Sequence, residues 1–254
     1  MKKFSPKTSQ LLQNYIYVLV DPQTEEIFSV GKGSGSKRPF KHLKTNNNEP
    51  TEKDQKIRAL RAQSIEPRVD ILRHGLDGSA AREIEASVID ALGLQNLTNQ
   101  NSGTDSSERG RLSASQIEAR LGGQPLDISS IEEPVILFHR RATFPESRLY
   151  DETRQFWPLS QDRIEARDES GNLKYQFAFA MRGNFVLEIY KILAWYQAGT
   201  TVSSRVFQPR GNKLYWEFIG SVVDQNIRKK YRNKSLMRDG APLHATQIGF
   251  RYLG

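Results

Sequence analysis

The 254-residue chain carries 37 Lys and Arg against 29 Asp and Glu, a formal charge of +8, with 37% hydrophobic residues. That length suffices for one large or two ordinary domains, two being the expectation, and the positive balance points to a polyanionic partner, nucleic acid before an anionic membrane. The absence of cysteine excludes disulfides and thiolate metal sites such as zinc fingers, no run reaches the length of a membrane span, and the basic start "MKKFSPKTSQ" lacks the apolar stretch of a signal peptide, so a soluble cytoplasmic protein is expected.

In chain order, "YIYVLV" (Tyr15 to Val20) and Ile27 to Val30 read as strands of a hairpin joined by the turn-rich "DPQTEE". The stretch "SVGKGSGSKRPFKHL" follows, with Lys32, Lys37, Arg38 and Lys41 among three glycines. It reads as a glycine-rich turn able to bring backbone N–H groups close to a phosphate, followed by a short helix near Phe40 to Lys44. Pro39 biases Arg38 toward a cap position of that helix. A helix from Glu52 to Ala62 capped by Thr51, a strand from Val69 to Leu72 and a helix capped by Asp77 or Ser79 and ended at Gly93 complete the first half. "TDSSERGR", Thr104 to Arg111, reads as the linker. Beyond it come a helix around Ser115 to Leu121, a strand at Pro134 to His139 and a helix from Arg148 to Phe156. Strands at Tyr175 to Met181, Phe185 to Trp195 and Leu214 to Ile219, a helix at Asp224 to Tyr231 and a last strand at Gln247 to Tyr252 follow. The fold class expected is α+β throughout, as two domains, 12–103 and 104–254.

Glu85 is the most informative carboxylate. The helical period places it amid Ala81, Ile84, Val88, Ile89 and Leu92, with Glu83 and Asp90 on the opposite face. An acid on an apolar face demands a partner, and a structural arginine and a metal ion weigh about equally. Arg38 and His42, four apart, point the same way on a helix, and Lys32 stands at the entry to the glycine stretch. Neither G-x-x-x-x-G-K-[ST] nor a complete G-x-G-x-x-G is present, which excludes those nucleotide-binding loops. Farther on, Arg228, Lys229, Lys230, Arg232, Lys234 and Arg238 interleave with Tyr231, a pattern suited to backbone phosphates plus stacking; a solvated helix face is the plainer alternative.

The ordered set "YIYVLVDPQTEEIFSVGKGSGSKRPFKHL", "VDILRHGL", "EIEASVIDALGL" and "NLTNQ", from about Asn14 to Gly103, resembles the GIY-YIG endonuclease superfamily, in the branch shared with ankyrin and LEM-domain nucleases. The resemblance implies a three-stranded antiparallel sheet flanked by helices that hydrolyses phosphodiesters with one divalent ion, Mg²⁺ or Mn²⁺. By position it implies Tyr17 as the first-motif tyrosine and water-activating phenolate, helped by Lys32, with Gly31 in the second motif. It further implies Arg38 as the transition-state cation, His42 as a phosphate or proton-transfer residue, Glu85 as the metal ligand and Asn99 as the closing asparagine. Ser29 stands where the second motif has tyrosine, leaving open a weakened or silent nucleic-acid-binding protein. Lys32, Lys37, Arg38 and Lys41 are expected to face DNA, single- or double-stranded, with RNA second. The second half resembles the extension following this domain in many bacterial relatives, and a substrate-binding role is expected of it.

Overall fold

The computed structural model describes residues 2–46, 49–140, 144, 146–203 and 213–254. Two compact units emerge, Met1–Arg111 with Ala142–Phe144, and Leu112–Arg141 with Pro145–Gly254. The stretch expected as a linker contains a short helix, Ser106–Arg109, and its Ser106 is buried. Among the described residues no helix is long and apolar enough to cross a membrane.

The first unit is built on the strands β1 (Asn14–Val20), β2 (Ile27–Ser34) and β3 (Arg68–Leu76), all antiparallel with β1 in the centre. Tyr15 to Val20 is buried without a break, because both faces of the central strand are covered. That is why "YIYVLV" is a continuous apolar run and not an alternating one. Ile16, Val18 and Val20 pack with Val30 against Ala81 and Ile89 of one helix (Gly78–Leu92). Tyr15, Tyr17 and Leu19 pack against Ile57 and Leu60 of another (Glu52–Ala62). In chain order the helices of this unit are α1 (Pro6–Leu12), α2 (Arg38–His42), α3 (Glu52–Ala62), α4 (Gly78–Leu92) and α5 (Ser106–Arg109). Thr51 and Asp54 form a reciprocal cap on α3, and the Asp77 carboxylate accepts from Ser79 and Ala80 N–H at the start of α4. α1 was not anticipated from the sequence, although Ser5 and Pro6 supply its cap and first residue; it buries nothing, so no apolar stripe announces it.

Three details differ from expectation. β2 runs on through Gly31 and Gly33 to Ser34, so these glycines lie within a strand and not in a phosphate-cradling turn. They stand opposite Tyr17 and Tyr15 in the register, and a Cβ at Gly31 would sit 2.7 Å from the Tyr17 Cζ and Oη. The glycines therefore make room for phenol rings. α2 begins at Arg38, earlier than expected, with Lys37 at the cap. Asp90 does not project to an open face: it is buried, and Gly110, just past α5, lies against its carboxylate.

The second unit holds α6 (Ala114–Gly122), β4 (Leu126–Asp127), β5 (Val135–His139), α7 (Leu149–Arg154), α8 (Gln161–Glu165), β6 (Phe177–Arg182), β7 (Phe185–Gln197), β8 (Trp216–Val222), α9 (Gln225–Tyr231), β9 (Leu236–Arg238), β10 (Ala241–Pro242) and β11 (Phe250–Leu253). Its main sheet has the order β11-β5-β6-β7-β8, parallel between β5 and β6 and antiparallel elsewhere. The small strands β10, β9 and β4 form a separate sheet. The core gathers Val135, Leu137, Phe179, Val186, Ile189, Tyr231 and Leu236, all fully or nearly fully buried. On the open edge of β8, Trp157 exchanges backbone hydrogen bonds with Trp216, and the Tyr150 hydroxyl accepts from Gly220 N–H (2.7 Å) and donates to Gly220 C=O (2.9 Å).

Candidate active site

β2 is the edge strand of the first sheet, and a cavity of about 460 Å³ opens beside it. Ser29 and Val30 come from β2, Arg38 and His42 from α2, Thr51 and Lys53 from the start of α3, and Glu85 and Ile89 from α4. The polar stretch from Thr98 to Thr104 closes the wall. Five residues singled out in the sequence, Ser29, Arg38, His42, Glu85 and Asn99, thus share one cavity.

Tyr17 lies one layer behind that wall, 1% exposed, and reaches it through its hydroxyl, 2.6 Å from His42 Nδ1. The Arg38 charge also acts on the phenol. With Nδ1 unprotonated, the imidazole accepts the phenolic proton in this contact. Burial pushes the Tyr17 hydroxyl well above its usual range, opposed by the Arg38 charge. Burial likewise pushes His42 down to about 4, assisted by the cations Lys53 and then Arg38, so at neutral pH the imidazole is uncharged and able to accept. The expectation that Lys32 would favour a Tyr17 phenolate is not met by the geometry. Side chains alternate along β2, so Lys32 faces the α4 side while Tyr17 faces the α3 side, and Arg38 is the cation at the phenol.

Glu85 accepts a hydrogen bond from the backbone N–H of Lys32 (2.9 Å), and its other oxygen is 3.8 Å from the Lys32 ammonium. Among the described residues no arginine holds it, and the side chain keeps 21% exposure on the cavity. Among the described residues no three His, Asp or Glu side chains gather as a metal site. A single, partly exposed carboxylate with a free lone pair still fits Mg²⁺ or Mn²⁺, hard cations commonly held by one or two carboxylates with water and substrate phosphate completing the shell.

Asn99 does not reach into open space. Its Oδ1 accepts from Val30 N–H (2.9 Å) and its Nδ2 donates to Val30 C=O (2.8 Å), while Thr98 N–H bonds Phe28 C=O (2.7 Å). The amide imitates one residue of a neighbouring strand and holds β2 where the cavity needs it. Ser29 is 6% exposed, on the same face as Tyr17. Lys37 and Lys41 are exposed on and beside α2 and do not line the cavity. Lys53 was not anticipated; Thr51 was legible as a cap, but nothing in the sequence says that the first turn of α3 borders the site.

The basic run of the second unit is largely spoken for. Arg228 Nε meets Glu188 at 2.9 Å, Arg232 Nε meets the same carboxylate at 3.2 Å, and Lys230 pairs with Glu132 at 2.8 Å. Tyr231 is buried with its hydroxyl on Glu133, so it offers no stacking platform, contrary to expectation. Lys229 is exposed and Lys234 half-buried, and neither has an ion pair among the described residues.

Residues 14–127 match the LEM-3-like GIY-YIG domain family. No curated protein and no solved structure matches the chain. With the three-stranded antiparallel sheet, the Tyr17–Gly31 register and Glu85 on α4, this match makes the N-terminal part of the chain a member of the GIY-YIG nuclease superfamily, within its LEM-3-like branch.

Proposed function

We propose that the chain is a metal-dependent DNA endonuclease whose first unit cuts phosphodiesters and whose second unit serves substrate binding. The observation that carries this reading is the convergence of Arg38, His42 and Glu85 on one cavity, with Tyr17 hydrogen-bonded behind His42.

In the reaction, water attacks phosphorus, a P–O bond forms and the bond to the 3′ oxygen breaks. Tyr17 takes the proton of the attacking water as its own phenolic proton passes to His42 Nδ1, so no free phenolate forms in the buried site. Burial and then the nearby cations disfavour an imidazolium at His42, and the negative charge of the scissile phosphate offsets Arg38 among them, which favours the relay when substrate is bound. Arg38 stabilises charge gathering on the phosphoryl oxygens. A divalent ion on Glu85 would neutralise the leaving oxygen. Asn99 positions β2, and Lys32 holds Glu85.

Ser29 favours a second reading, a nucleic-acid-binding protein with weakened or absent catalysis, since a serine hydroxyl cannot span the reach of the phenol it replaces. One experiment separates the two: cleavage of plasmid and single-stranded DNA with Mg²⁺ or Mn²⁺ by the wild type, Glu85→Gln and Ser29→Tyr. The enzyme reading expects metal-dependent cleavage that falls at least about 100-fold in Glu85→Gln and rises in Ser29→Tyr. DNA binding without metal-dependent cleavage in the wild type sinks it in favour of the second.

A further inference from the structure

Lys53 occupies the second position of α3, where the positive end of the helix makes a cation unfavourable. It is half-buried on the cavity wall, and among the described residues no carboxylate or carbonyl takes its ammonium. Its charge reaches His42 ahead of that of Arg38. Among the described residues Glu85 is the one carboxylate lining the cavity, and Lys32 already faces it. Arg38 and Lys53 therefore stand, among the described residues, as two cations with no ion pair, Lys53 feeling only the charge of Asp54 beside it in the chain, around a space that a single phosphodiester fills with one negative charge. A second cation held at such a cost calls for a second anion.

We propose that Lys53 holds the phosphate next to the scissile one, so that the site takes a nucleic-acid strand with at least two consecutive phosphodiesters and discriminates against a dinucleotide. The inference rests on the nuclease reading above and deepens it.

The full-length protein in EDTA, which blocks hydrolysis, is titrated by NMR with TpT and TpTpT, and with a single-stranded 12-mer over a range of salt by fluorescence anisotropy. The wild type is expected to bind TpTpT about tenfold more tightly than TpT. Lys53→Met should erase that advantage and reduce the slope of log K against log salt by about 0.7, while Lys53→Arg keeps most of both. Lys53→Gln, polar and of similar length, repeats the test should the methionine variant unfold. An unchanged advantage and slope in the neutral variants overturns the inference and leaves the nuclease reading standing. Equal weakening of TpT and TpTpT overturns it too, since Lys53 would then act on the scissile phosphate itself. A wild type that binds none of the three sinks both.

Discussion

Tyr17 meets His42 across a strand that has no side chain at position 31. Adding one methyl there places carbon 2.7 Å from the phenol oxygen, and either the ring or β2 must move. Gly31→Ala is therefore expected to cost about 1–3 kcal/mol of stability and to remove most cleavage. Gly33→Ala crowds Tyr15 in the same manner, yet the Tyr15 hydroxyl bonds Gly35 C=O and not the cavity, so stability should fall with activity better preserved. Urea titration beside a cleavage assay on both variants checks the contrast, and equal loss of activity would detach Tyr17 from the chemistry. At this scale the sequence was informative about identity and mute about direction. Tyr17, Arg38, His42 and Glu85 were legible from motif and helical phase, since a helix repeats on a fixed period. That the glycines serve ring packing was not, because glycine in isolation signals a turn as readily as a close approach. Nor was the burial of Asp90, which depends on a later segment folding back over α4.

Elements with their own start and stop signals were read within a residue or two: α3 behind Thr51, α4 between Asp77 and Gly93, α9 behind Asp224. Elements defined by partners were not. β2 extends as far as β1 lets it pair, and β4, β9 and β10 are too short to carry a pattern. Asn99 is the instructive case, since the resemblance marked the residue but its two bonds to Val30 appear only when residues 97–99 lie along the β2 edge. Asn99→Ala removes both bonds and should destabilise the unit by about 2 kcal/mol. The loss would be localised, with hydrogen exchange at Val30 accelerating well before that of Tyr17 in the central strand. Uniform acceleration across the sheet would mean that Asn99 supports the whole unit and not its edge.

Across the whole molecule, the positive balance proved a poor guide to where charge is available. Most of the basic run in α9 and just beyond it is matched to Glu188, Glu132 and Glu133, whereas Arg38 and Lys53 at the cavity of the first unit have no ion pair among the described residues. Each unit also holds a neutral histidine, His42 half-buried in the first and His139 buried in the second, and removal from water pushes both down to about 4. His139 hydrogen-bonds Gly183 C=O through Nδ1, has no partner on Nε2 among the described residues and feels the Arg251 charge. Unfolded histidine takes up its proton near pH 6.5, so stability is full above that value and falls as the pH drops toward 4, by up to about 3 kcal/mol from His139. His139→Phe should narrow the gap between urea midpoints at pH 7 and pH 4. A gap as wide as that of the wild type would assign the acid lability to carboxylates.

Along the outer margin of β8, Trp157 and the hydroxyl of Tyr150 occupy hydrogen-bonding positions that a sixth strand would need. A foreign peptide laid there would find its rungs already taken at Trp216 and Gly220. The second unit thus guards itself against lateral aggregation with one oxygen atom and one backbone contact, while Phe218 of β8 points into its interior.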